Sequence, residues 1–204
     1  VSSPKGSSPR RRTAPRKGDL REAAILDAAE KQLSERGADR ITVETIATAA
    51  GITRGALYFY FGSKNDVLAA LVERTAAAVV ADIEDADQSA PADPREALRQ
   101  GLDRTARSWA EHGAVMRAAV ELSAGVPQIE ACWQAAITAA GDATRPALVR
   151  AGVPDDDGPH GARALSTALV SMTERHFYRA SKDQTSLTDA AQTLTHIWLA
   201  VLPR

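Results

Sequence analysis

Apolar residues recur three and four positions apart through most of the chain, and no stretch shows the sustained alternation of a strand. That periodicity predicts an all-α protein. The first helix is predicted over residues 19–36, where Leu20, Ala23, Ala24, Ile25, Ala28, Ala29 and Leu33 share a face and Gly37 supplies the stop. Two short patterns follow, with Val43, Ile46, Ala47, Ala50, Ile52 and Leu57 as one inward set. Thr42 and Thr53 stand where each helix would be capped, and Gly51 between them suits the left-handed conformation of a sharp corner. A mostly Ala, Leu and Val helix over 64–83 opens on Ser63, whose hydroxyl can cap the N–H three residues on. Further helices are predicted over 94–111, 114–124, 128–151 with a kink at Pro146, 159–181 and 187–202, about nine in all. Residues 85–93 and 152–158 read as loops.

The two short helices leave Glu44, Thr45, Thr48, Arg54, Gly55 and Tyr58 facing outward. A small seam, a glycine corner and a second helix with a polar outer face make a helix-turn-helix, the unit that lays its second helix in a DNA groove. Charge supports this at one end only. Residues 1–66 hold 12 Lys and Arg against 8 Asp and Glu, whereas the remainder is acidic, with 13 against 18. Residues 1–18 carry six basic side chains and no acid, with Ser, Pro and Gly between them, and read as a disordered arm. Two roles fit the arm equally: entry into the minor groove or along the phosphates, or a solvated tail. The chain therefore divides into that arm, a DNA-binding unit over 19–66 and a helical body over 67–204.

Other classes find little support. Cys132 is the single cysteine, which excludes an intrachain disulfide and a cysteine-based metal cluster. The four histidines, His112, His160, His176 and His196, form no metal-ligand spacing, and Glu174 and His176, two apart on one helix, read as a surface ion-pair partner and a satisfied histidine. No enzyme activity, metal or cofactor is expected. No apolar run is long enough to span a membrane and no secretory signal is visible, so a cytoplasmic location is expected.

The run TVETIATAAGITRGALYFYFGSK, residues 42–64, resembles the N-terminal signature of TetR-family transcriptional repressors. The resemblance implies a homodimer whose final helix pair forms the dimer interface. It also implies a body that binds a small hydrophobic effector and thereby releases operator DNA. Position by position it places Thr53, Arg54, Gly55, Tyr58 and Lys64 against DNA, with Tyr60 where relatives often have histidine; Thr42, the cap of the first short helix, is counted with them. Arg54 suits either a guanine edge or a phosphate, and Lys64, in a first helical turn that disfavours a cation, suits a phosphate. Tyr60 could serve the interface or the small core.

The segments over residues 164–181 and 194–204 are similar to one mycobacterial member of that family. That likeness implies a ligand site including Trp133, Thr173 and Trp198, with Val170 and Thr173 where the relative has asparagines and Ala140 where it has tryptophan. Trp109, Met116, Trp133, Met172, Phe177, Tyr178 and Trp198 are large residues on helices otherwise rich in alanine, a composition that fits a pocket as well as a packed bundle. Trp198 could equally lie in the dimer interface. The expectation is a ligand-responsive dimeric repressor; the alternative is a DNA-binding regulator with a filled body and no effector.

Overall fold

The computed structural model describes residues 17–203, and within them every regular element is an α-helix. The helices are α1 (Lys17–Arg36), α2 (Val43–Ala49), α3 (Arg54–Tyr60), α4 (Lys64–Gln88), α5 (Pro94–Leu122), α6 (Pro127–Arg150), α7 (Ala162–Lys182) and α8 (Leu187–Ala200). Eight elements replace about nine because the two segments expected on either side of His112 are continuous. His112 alone departs from helical geometry there (φ −110°, ψ 15°) and kinks α5 instead of ending it. Residues 1–16, most of the expected basic arm, lie outside the described residues; Lys17 and Gly18 belong to α1.

Two other boundaries, the end of α4 and the start of α7, differ from expectation, each for a tertiary or loop reason. α4 runs on to Gln88 through residues that read as loop, because Arg150 of α6 pairs with Asp87 and Ser89 closes the end on Asp85 O. α6 continues through Pro146. α7 starts three residues late: Asp156 accepts from Gly158 N at 2.8 Å, and a Cβ on Gly161 would stand 2.2 Å from Asp156 O. That loop keeps the chain non-helical until residue 162.

The caps are local and follow the sequence. Ser63 accepts from Asp66 N at 3.2 Å, Asp93 from Arg95 N at 2.9 Å and Ser186 from Asp189 N at 3.1 Å. Each satisfies one N–H that a helix start would otherwise leave unpaired.

Two hydrophobic clusters organise the interior. One joins α1–α4 around Ile25, Ile46, Leu57 and Leu71, and takes in Val115 and Ala119 of α5 and Ile129 of α6. The other fills the α5–α8 bundle around Leu148, Phe177, Leu194 and Trp198. The small N-terminal head is therefore fastened to the body by packed side chains from α4, α5 and α6. Arg74 of α4 adds a polar clamp, donating to Asp27 at 2.7 Å and to Glu30 at 3.0 Å on α1.

Candidate nucleic-acid interface and internal cavity

The corner between α2 and α3 forms as its residues dictate. Thr42 accepts from Thr45 N at 3.1 Å while its own N–H donates to Thr45 Oγ1 at 2.9 Å, a reciprocal cap closed by threonine. Thr53 accepts from Ala56 N at 3.1 Å, and Gly51 takes φ 66°. Ile46, Ala47 and Leu57 are buried, with Val43, Ala50 and Ile52 partly buried behind them. Thr53, Arg54, Gly55, Ala56, Tyr58 and Phe59 are consequently exposed along α3.

Arg54 Nη2 donates to Tyr58 Oη at 3.1 Å, and its guanidinium carbon lies 5.4 Å from the centre of the same ring. The pair is one turn apart on the outer face, so the phenol fixes the direction of the cation. That hydrogen bond, and the attraction of the phenol behind it, raise the Arg54 pKa above its ordinary value. A Cβ at Gly55 would meet only Thr53 Oγ1, at 4.0 Å. Packing does not demand glycine there, although glycine costs the helix about 0.5–1 kcal/mol.

Lys64 is half-buried and reaches back to Ala38 O at 3.4 Å, a long bond that leaves its other protons free to point elsewhere. Tyr60 is half-buried against the head's core, its ring edge-on to Phe59 with centroids 5.3 Å apart. Phe59 was missed in the sequence and is 84% exposed. The signal was present: Leu57 and Phe61 are four apart and both inward, so residue 59 must face away.

Below the head, α4, α5, α6, α7 and α8 enclose a cavity of about 140 Å³. That is room for a small organic molecule rather than for one or two waters. Its walls are Val79 and Ile83 of α4, Leu98 and Leu102 of α5, alanines of α6, Val170 of α7, and all three tryptophans of the chain. Trp109, Met116, Trp133, Thr173 and Trp198 all line it, so the structure brings together five of the residues singled out in the sequence. Ala140 and Val170, also noted there, line it too.

Trp198 Nε1 donates to Thr173 Oγ1 at 3.0 Å in the buried interior, which places Trp198 on the cavity wall. Phe177 does not reach the space. It is fully buried and stacks behind Trp109, with ring centres 6.3 Å apart and planes 25° apart. Met172 is only half-buried and packs on the second cluster elsewhere, because α7 turns its neighbours Val170 and Thr173 inward.

Two charged residues overlooked as cavity groups line it, Arg104 and Glu174. Glu174 is no surface ion-pair partner as expected: its Oε1 is buried and has no hydrogen-bond partner among the described residues, and the same holds for Arg104 Nε. Burial raises the Glu174 pKa, while nearby Arg175 and a hydrogen bond from the Trp133 indole to the carboxylate pull it down. Asp87 and Arg150, paired through two hydrogen bonds, one of 3.0 Å, are partly exposed members of the lining. Among the described residues no group of His, Cys, Asp and Glu could hold a metal ion, and no helix is long and apolar enough to cross a membrane.

Residues 25–71 match the family described as bacterial regulatory proteins, tetR family, and residues 98–202 match the C-terminal domain of the transcriptional regulator EthR. The chain is 36% identical to the HTH-type transcriptional regulator EthR of Mycolicibacterium smegmatis, over 93% of this chain and 89% of that one. It is 35% identical to EthR of Mycobacterium tuberculosis, over 93% and 90%. Among solved structures, the fatty acid degradation regulator FadR of Bacillus halodurans superposes with a TM-score of 0.72, covering 93% of this chain and 97% of that one. At 19% identity, that last likeness speaks to the fold alone.

Proposed function

The chain belongs to the TetR family of bacterial transcriptional regulators, with an EthR-type C-terminal domain, and from that premise we propose that it is a dimeric, cytoplasmic repressor released from operator DNA by a small hydrophobic effector. One observation carries the reading. α4 begins at Lys64, immediately beyond the reading helix, and from Ala76 onward the same helix forms a wall of the apolar cavity. A molecule that spreads α4 from the other cavity helices therefore pushes on the base of the DNA-reading head.

In this reading α3 enters the major groove, with Arg54 aimed by Tyr58, Gly55 allowing close approach, and Thr42, Thr53, Tyr60 and Lys64 positioned around it. Two such heads must reach successive grooves about 34–36 Å apart. The partly exposed apolar side chains of α7 and α8, Leu165, Met172 and Leu199, together with exposed Ala168, supply a face on which a second copy can pack. Rotation of the heads by an effector then spoils the spacing. Only differential affinity for the two states does this work: taking a balance from 1:99 to 99:1 needs about 5.5 kcal/mol.

A mobility shift with the DNA upstream of the protein's own gene, repeated with small apolar compounds, tests the reading. A shifted band that such a compound dissolves is expected. No shift on that DNA, or a band that no compound entering the cavity disturbs, would overturn it. The rival, a regulator with a filled body, is disfavoured by the volume between the helices.

A further inference from the structure

The two buried side-chain atoms without a hydrogen-bond partner among the described residues, Arg104 Nε and Glu174 Oε1, both belong to residues lining the one apolar cavity described above. They come from different helices, α5 and α7. Leaving a buried polar group unsatisfied costs about 1–3 kcal/mol, and chains rarely retain such a cost without use. The other polar groups of the lining do not share the defect. Thr173 is engaged by Trp198, Thr105 donates to Gly101 O at 3.0 Å, Ser108 to Arg104 O at 3.2 Å, and Arg150 is held by Asp87.

The missing partners have a definite chemistry. Arg104 Nε–H is a donor and requires an acceptor. Glu174 Oε1, when ionised, accepts only and requires an N–H or O–H. A hydrocarbon satisfies neither. A fatty carboxylate offers Arg104 an acceptor but brings a second anion into a space already holding Glu174, and a fatty amine offers Glu174 a donor but places a cation with Arg104.

We propose that the effector is an uncharged, mainly apolar small molecule that carries both a carbonyl-type acceptor, for Arg104, and an N–H or O–H donor, for Glu174. Arg104 and Glu174 are thus specificity residues of the cavity. The inference rests on the cavity being the effector site and adds the chemical class of what enters it.

Calorimetric titration of the full-length protein with four probes of matched size tests this. Octanamide offers a donor and an acceptor, heptyl acetate an acceptor only, octanoate an anionic acceptor, and octylamine a cationic donor. Octanamide is expected to bind at least about tenfold more tightly than the other three. Glu174→Leu should erase most of the margin of octanamide over heptyl acetate while leaving heptyl acetate within about threefold of its wild-type affinity, whereas Arg104→Met should weaken octanamide and heptyl acetate alike. The ranking on the unaltered protein is informative by itself should either variant fail to fold. Four probes binding within about twofold of one another would overturn the proposal and leave the cavity as the effector site. Octanoate or octylamine binding tightest would overturn it in the same way. Failure of all four to bind would overturn the cavity reading as well.

Discussion

His112 Nδ1 lies 2.8 Å from Glu30 Oε1, across 82 residues of sequence. His112 is the kinked residue of α5, between Trp109 and Met116, which both line the cavity; Glu30 is on α1 of the DNA-reading head and also takes Arg74 of α4. One carboxylate therefore gathers the head, the connecting helix and the cavity wall. Any adjustment at the kink is felt by α1 directly.

Replacing His112 by Ala should cut this link while leaving both hydrophobic clusters intact. Glu30 retains Arg74, so the stability loss should be modest, about 1 kcal/mol for a partly exposed bond to a charged group. Operator affinity without effector should change less than threefold, whereas the weakening of that affinity by a saturating cavity ligand should shrink. Fluorescence-free gel titrations with and without octanamide measure both quantities, and an unaltered ligand effect would exclude this bond from the coupling.

Arg54→Ala should weaken operator binding by roughly tenfold or more, within the 1–3 kcal/mol of a specific base contact, and random-duplex binding far less. Tyr58→Phe should reproduce part of that loss by releasing the guanidinium from its 3.1 Å bond. Competition titrations with operator and scrambled duplex separate the outcomes: equal losses on both would make Arg54 a phosphate clamp.

Thr173→Val removes the acceptor of the Trp198 indole and leaves a buried N–H unpaired. A loss of about 1–3 kcal/mol in chemical unfolding is expected. Trp198→Phe removes the donor, leaves the Thr173 hydroxyl without it and opens space, and should cost stability through the enlarged cavity. A negligible effect of Thr173→Val would mean that water replaces the hydroxyl.

Glu174 gives a pH dependence whose sign follows from its surroundings. Burial raises its folded pKa above the unfolded value, so the folded state holds the proton more strongly and stability falls as pH rises through the window between the two. Glu174→Gln should remove that contribution. The difference in unfolding free energy between variant and wild type should therefore grow from acid toward neutral pH, up to about 1 kcal/mol in favour of the variant, as the residue is only partly buried. Parallel unfolding curves across that range would contradict the assignment of the carboxylate as desolvated.

Local chemistry was legible in the sequence and long-range geometry was not. Thr42, Thr53, Ser63, Asp93 and Ser186 act as caps because a cap concerns neighbours two or three residues away. Trp109, Trp133 and Trp198 could be picked out by size among alanines. Glu174 and Arg104 could not, since a charge on an amphipathic helix ordinarily marks its wet side; their placement depends on how α5 and α7 rotate around an open space. The extension of α4 was hidden for the same reason. It depends on Arg150, 63 residues beyond Asp87.

The concentration of every tryptophan in the cavity wall has an optical consequence. Excitation selective for indole reports from this chamber alone, with no emitter of that kind in the DNA-reading head, whose rings are Tyr58, Phe59, Tyr60 and Phe61. The protein carries its own dye, already installed where a guest arrives. Quenching or a spectral displacement on adding a compound marks occupancy, and the absence of either on adding duplex alone marks a head that binds without disturbing the chamber.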